Sequence, residues 1–68
     1  MKNVEEISEL VRKIEEINEK IIAKKIIHDL AEKKDDLITM EMCVQEIKAL
    51  MKEKEKLEKE KNFALRGR

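Results

Sequence analysis

Lys33-Lys34-Asp35-Asp36 decides how this chain folds, because these four charged residues divide two long apolar series. Before them, Val4, Ile7, Leu10, Val11, Ile14, Ile17 and Ile21 recur mainly at steps of three and four, the spacing of one helical face. After them, Met40, Cys43, Val44, Ile47, Leu50, Met51 and Leu57 repeat the pattern. A turn belongs between the two series. Asp35, Asp36 or Thr39 is suited to cap the second helix, with Glu41 placed favourably in its first turn. The expected elements are helix 1 over about 3–33, a turn over about 34–38, helix 2 over about 39–64 and a short basic tail. Proline is absent and the single glycine is Gly67, so neither residue fixes the turn. One continuous helix of about 90 Å, at 1.5 Å per residue, is the alternative.

Charge favours the hairpin. Residues 1–19 carry six acids against three bases, whereas residues 47–68 carry eight bases against four acids. Residues 20–34 carry five lysines against two acids, and residues 35–46 hold four acids and no base. An antiparallel hairpin sets opposite signs beside each other at both ends, which selects a register even though single surface pairs contribute little. Each helix is also expected to begin acidic and end basic, as its macrodipole favours. Same-helix pairs such as Glu9/Lys13, Glu16/Lys20 and Glu55/Lys59 reinforce both helices.

The composition fits this all-α reading: 47% of residues are charged and 41% hydrophobic, and Phe63 is the one aromatic residue. No stretch approaches a membrane span, and Met1-Lys2-Asn3 leads into an acidic amphipathic segment instead of the apolar core of a signal peptide, so a cytoplasmic location is expected. A domain of 68 residues buries little surface. Its lone cysteine, Cys43, closes no intrachain disulfide and has no partner at zinc-site spacing.

Oligomerisation is the remaining route to stability. In the hairpin, the apolar start of helix 1 lies against residues 52–61, whose only large apolar residue is Leu57. Ile7, Leu10, Val11, Ile14, Ile17 and Ile21 are therefore expected to form a self-association face, most economically in a homodimeric four-helix bundle. Asn18 interrupts this series, either at its edge or paired with its symmetry mate as a register device. Farther along helix 1, Ile22, Ile26, Ile27 and Leu30 drift round the helix, so its second half is expected to face more than one neighbour.

Candidates for chemistry are few. His28 and Cys43, with Asp29, are the residues from which a Cys-His nucleophile would be built. Cys43 holds an apolar position, however, and a structural role is expected. Helical-bundle metal sites use Glu-x-x-His, and Lys25 stands three residues before His28. Phosphate-binding and calcium-binding loops require glycines that this chain lacks. No cofactor or metal is expected.

Two surface features suit partners. Lys48, Lys52, Lys56 and Lys59 lie along one flank of helix 2 and, with Arg66 and Arg68, offer a basic strip that neighbouring glutamates partly neutralise. Phe63 and Leu65 sit beside Arg66 after a highly polar run, as a docking segment or a frayed terminus. Met40, Met42 and Met51 suit either core filling or adaptable helix recognition.

In layout the chain resembles the Rop-like plasmid copy-control proteins, dimeric helical hairpins that bind paired RNA. That resemblance implies nucleic-acid binding through the basic flank. Val44-Gln45-Glu46-Ile47-Lys48 is also similar to the Ser-Gln-Glu-Leu-Asp signature of the Spo0E-like aspartyl-phosphate phosphatases, with Val for the Ser and Lys for the Asp. That signature implies phosphatase activity, and Lys48 replaces its acid. The expected function is a non-enzymatic, homo-oligomeric helical module, a small regulator or adaptor that binds another protein through helix packing. Nucleic-acid binding comes second and phosphatase activity third.

Overall fold

A computed structural model describes residues 4–66, which form two antiparallel helices in a hairpin about 50 × 15 × 11 Å in extent. Helix α1 is Val4–Lys33 and helix α2 is Leu37–Leu65. Among the described residues there is no strand. The expected helix start at residue 3 and the tail residues Gly67 and Arg68 lie outside the described residues.

The turn occupies only residues 34–36, because two adjacent aspartates divide its work. Asp35 adopts φ 55°, the left-handed conformation that glycine usually supplies after a helix. A short polar side chain tolerates it better than most. The Asp35 N–H donates to the Glu32 carbonyl at 3.1 Å and the Asp36 N–H to the Ala31 carbonyl at 2.9 Å, which satisfies the last carbonyls of α1. Asp36 then caps α2. Its carboxylate accepts from the Thr39 N–H at 3.1 Å and from the Thr39 hydroxyl at 2.6 Å. The capping residue was thus within the expected set, but α2 begins two residues earlier than expected. Glu41 consequently falls beyond the first turn of α2, which carries no acid, and its last turn carries no base. Only α1 has the expected polarity, with Glu5 and Glu6 in its first turn and Lys33 in its last.

A strict seven-residue repeat holds the helices together. On α1, Ile7, Ile14, Ile21 and His28 form one row and Leu10, Ile17, Lys24 and Ala31 the other. On α2 the rows are Met40, Ile47, Lys54 and Lys61, then Cys43, Leu50, Leu57 and Ala64. Every one of these residues is buried or half-buried. This is the two-row seam of a coiled coil. Ile14, Ile17 and Ile21 form its centre, Ile17 being only 5% exposed, while Ala31 and Ala64 let the helices approach near each end.

One expectation changes here. The isoleucines of α1 are covered within one chain, because Lys54 and Lys61 hold seam positions beside Leu57 and are half-buried there, as the long aliphatic stem of a lysine allows. The seam also ignores the apolar drift of α1. It continues through Lys24, His28 and Ala31, leaving Ile22, Ile26, Ile27 and Leu30 exposed.

Candidate functional site

An ion pair marks the register across the hairpin. The Lys24 ammonium lies 2.9 Å from the Glu46 carboxylate, so residues whose numbers add to about 70 stand level on the two helices. The hydrogen bond to Glu46, then its charge, raises the Lys24 pKa above its usual value. Farther along α1, Arg12 bridges Glu9 and Glu16 on its own helix. The hydrogen bond from Arg12 lowers the Glu9 pKa.

Cys43 is 3% exposed in the seam and packs as a small apolar residue. In this register it stands nearly level with His28, whose Nδ1 lies 3.9 Å from Asp29, too far for a hydrogen bond. Among the described residues, no group of three or more His, Cys, Asp or Glu side chains is arranged to hold a metal. No helix among them is long and apolar enough to cross a membrane.

The expected partner-binding residues are dispersed. Lys52, Lys56 and Lys59 share a shallow depression with Glu55 and Glu60, and Lys59 pairs with Glu55 at 3.4 Å. Acids therefore interleave the basic flank along its length. Helix α2 runs on to Leu65, so Phe63 and Leu65 belong to a helix, two residues apart and on different sides of it. Arg66 follows as the C-terminal cap, its N–H donating to the Asn62 carbonyl at 3.2 Å. Phe63 instead lines an open groove of about 750 Å³ at the free end of the hairpin, with Leu10, Glu5, Glu9, Lys13 and Glu60. Sequence spacing did not reveal this groove, because its walls come from opposite ends of the chain.

The most conspicuous surface surrounds the turn. Ile22, Ile26, Ile27 and Leu30 on α1 and Leu37, Ile38, Met42 and Val44 on α2 are all exposed, Ile22 at 58% and Ile26 at 56%. The opposite half of the hairpin is mainly charged. Such concentration of large aliphatic side chains in water marks a contact surface more than a solvated one. Comparison with protein-family models, curated proteins and solved structures returns no match.

Proposed function

We propose that this chain is a non-enzymatic helical interaction module, a small regulator or adaptor that associates with itself and docks a second protein by helix packing in the cytoplasm. The exposed aliphatic collar around the turn carries this reading. Ile22, Ile26, Leu30, Leu37 and Ile38 leave a large apolar area in water that the hairpin itself does not cover. Burying each such side chain is worth about 1.5–3 kcal/mol, so covering several would add as much as a small domain's whole stability. Cys43, buried and unpaired, suits a reducing compartment.

Sedimentation equilibrium across a concentration range, with circular dichroism on the same samples, tests self-association. A helical dimer or tetramer that dissociates on dilution supports it. A helical monomer at every concentration removes it and leaves the apolar collar to a different protein.

A further inference from the structure

We infer that two copies pack antiparallel through one broad side of the hairpin, with Asn18 and Met51 at the two-fold axis. This rests on the self-association reading above and names its surface. The second heptad pattern of the chain points to it. Val44, Met51 and Leu65 each directly follow a seam residue, Cys43, Leu50 and Ala64, and Leu37 continues their line at the same seven-residue interval. All four are exposed, Leu37 at 71% and Leu65 at 60%. On α1, Val11 and Asn18 follow Leu10 and Ile17 in the same way, and Val4 extends that line. In an antiparallel pair these two flanks lie on the same side; Glu58 interrupts the α2 line and Lys25 and Glu32 continue the α1 line toward the turn, so the apolar residues there come from α2 at both its ends and its centre and from the start of α1. A side of about 50 by 15 Å matches the roughly 800 Å² per partner that a stable interface buries.

Register selects the occupant and its direction. Asn18 lies at the midpoint of α1 and Met51 at that of α2. The Lys24–Glu46 pair sets these two residues nearly level, so one two-fold axis passes close to both. About that axis, α2 meets α2 of the second copy with Met51 against Met51 and Leu37 against Leu65. Lys48 and Glu55, three residues before and four after Met51, then face each other across the interface twice. Lys25 lies on the same side as Glu15 of the partner subunit, offset from it by about 6 Å along the helix. The face is self-complementary in charge as well as apolar, which a surface built for an unrelated partner has no reason to be. Asn18 meets its own mate, where a buried amide pair fixes register.

Single-cysteine variants of the full chain test this. Asn18→Cys and Met51→Cys are each placed in a Cys43→Ala background, checked for helicity and exposed to a mild oxidant. Each variant alone is expected to form a disulfide-linked dimer, at least about 10-fold faster than Ser8→Cys, because only residues at the axis bring their Cα atoms close enough. Cross-linking only when the two variants are mixed means a parallel pairing, and no cross-linking in a dimeric wild type means another face; either overturns the inference and leaves self-association standing. A monomeric wild type in sedimentation overturns both. Charge reversal provides a check that keeps Cys43. Lys48→Glu or Glu55→Lys alone should weaken the dimer several-fold, and the two together should restore it. Failure of the double variant to recover also sinks the antiparallel face.

Discussion

Asp36 donates its backbone N–H to the carbonyl of Ala31, 2.9 Å away, so the residue that opens α2 also closes α1. This bond requires the chain to reverse at Asp35, which does so at φ 55° without being glycine. Asp35→Gly removes the steric cost of that conformation and should raise the melting temperature by about 4–8 °C, the shift expected from relieving roughly 1 kcal/mol in a domain of this size. Thermal unfolding followed by circular dichroism reads it directly. A lower melting temperature would mean that the Asp35 side chain contributes more than its backbone costs.

Acid should act through the neighbouring cap. The Thr39 hydroxyl, then the Thr39 N–H, lower the Asp36 pKa below its usual value. A carboxyl depressed in the folded state stabilises it at pH above the unfolded value and ceases to do so as pH falls through the folded one. Asp36→Asn keeps a capping side chain that does not titrate. Its melting temperature should therefore fall less between about pH 5 and pH 2 than that of the wild type. Parallel curves for the two proteins would show that Asp36 has no part in the acid response.

Lys24 predicts the opposite edge of the pH range. Because Glu46 raises its pKa, its contribution is complete below the usual lysine value and is lost as pH rises through the folded one. Lys24 also holds a seam position between Ile17 and Ala31. Lys24→Leu should raise the melting temperature at neutral pH, since apolar residues at such positions often replace charged pairs with gain. It should also flatten the decline above about pH 10.5. A variant that melts earlier at neutral pH would instead give the ion pair a substantial share of stability.

These positions show what was readable in the chain and what was not. Apolar spacing and opposed charge blocks predicted two antiparallel helices, and both depend on local patterns that survive folding. The turn was placed loosely because Asp35 does a glycine's work, and a residue's name does not reveal a positive φ. The seam was misjudged because Lys54 and Lys61 count as charges in a sequence, yet both are half-buried at seam positions, where a lysine's aliphatic stem can cover apolar surface. Ile14, Ile17 and Ile21 therefore read as a face awaiting a second chain. The drift of Ile22, Ile26 and Leu30 round α1 was legible, but that the hairpin leaves them all exposed was not, because Lys24 and His28 hold the seam instead.

Basic residues allow a test of the nucleic-acid alternative. Glu55 and Glu60 share the depression of Lys52, Lys56 and Lys59. Little field survives to attract phosphates, whose contacts supply most of the affinity of such complexes. Duplex RNA and DNA should show no retention at about 50 mM salt, where electrostatic binding is strong. Lys52→Glu with Lys56→Glu should leave self-association unchanged. Binding that falls steeply with salt and vanishes in the double variant would make this flank the functional surface.

Ile17 and Ile26 lie on the same helix and differ in what their loss should do. Ile17 is 5% exposed at the centre of the seam, whereas Ile26 is 56% exposed on the far side of α1. Ile17→Ala deletes buried carbon against packed neighbours and should cost about 2–5 kcal/mol, enough to leave a hairpin of this size largely unfolded at 25 °C. Ile26→Ser removes apolar surface that the hairpin never buries, so helicity and melting temperature in dilute solution should change little. Capture of the second protein should nonetheless weaken by about 10-fold or more with Ile26→Ser, since burying such a side chain contributes about 1.5–3 kcal/mol. Matched circular dichroism and affinity measurements separate the two effects. If Ile26→Ser melts as early as Ile17→Ala, α1 packs through a wider face than its seam, and the collar around the turn belongs to the fold instead of to a partner.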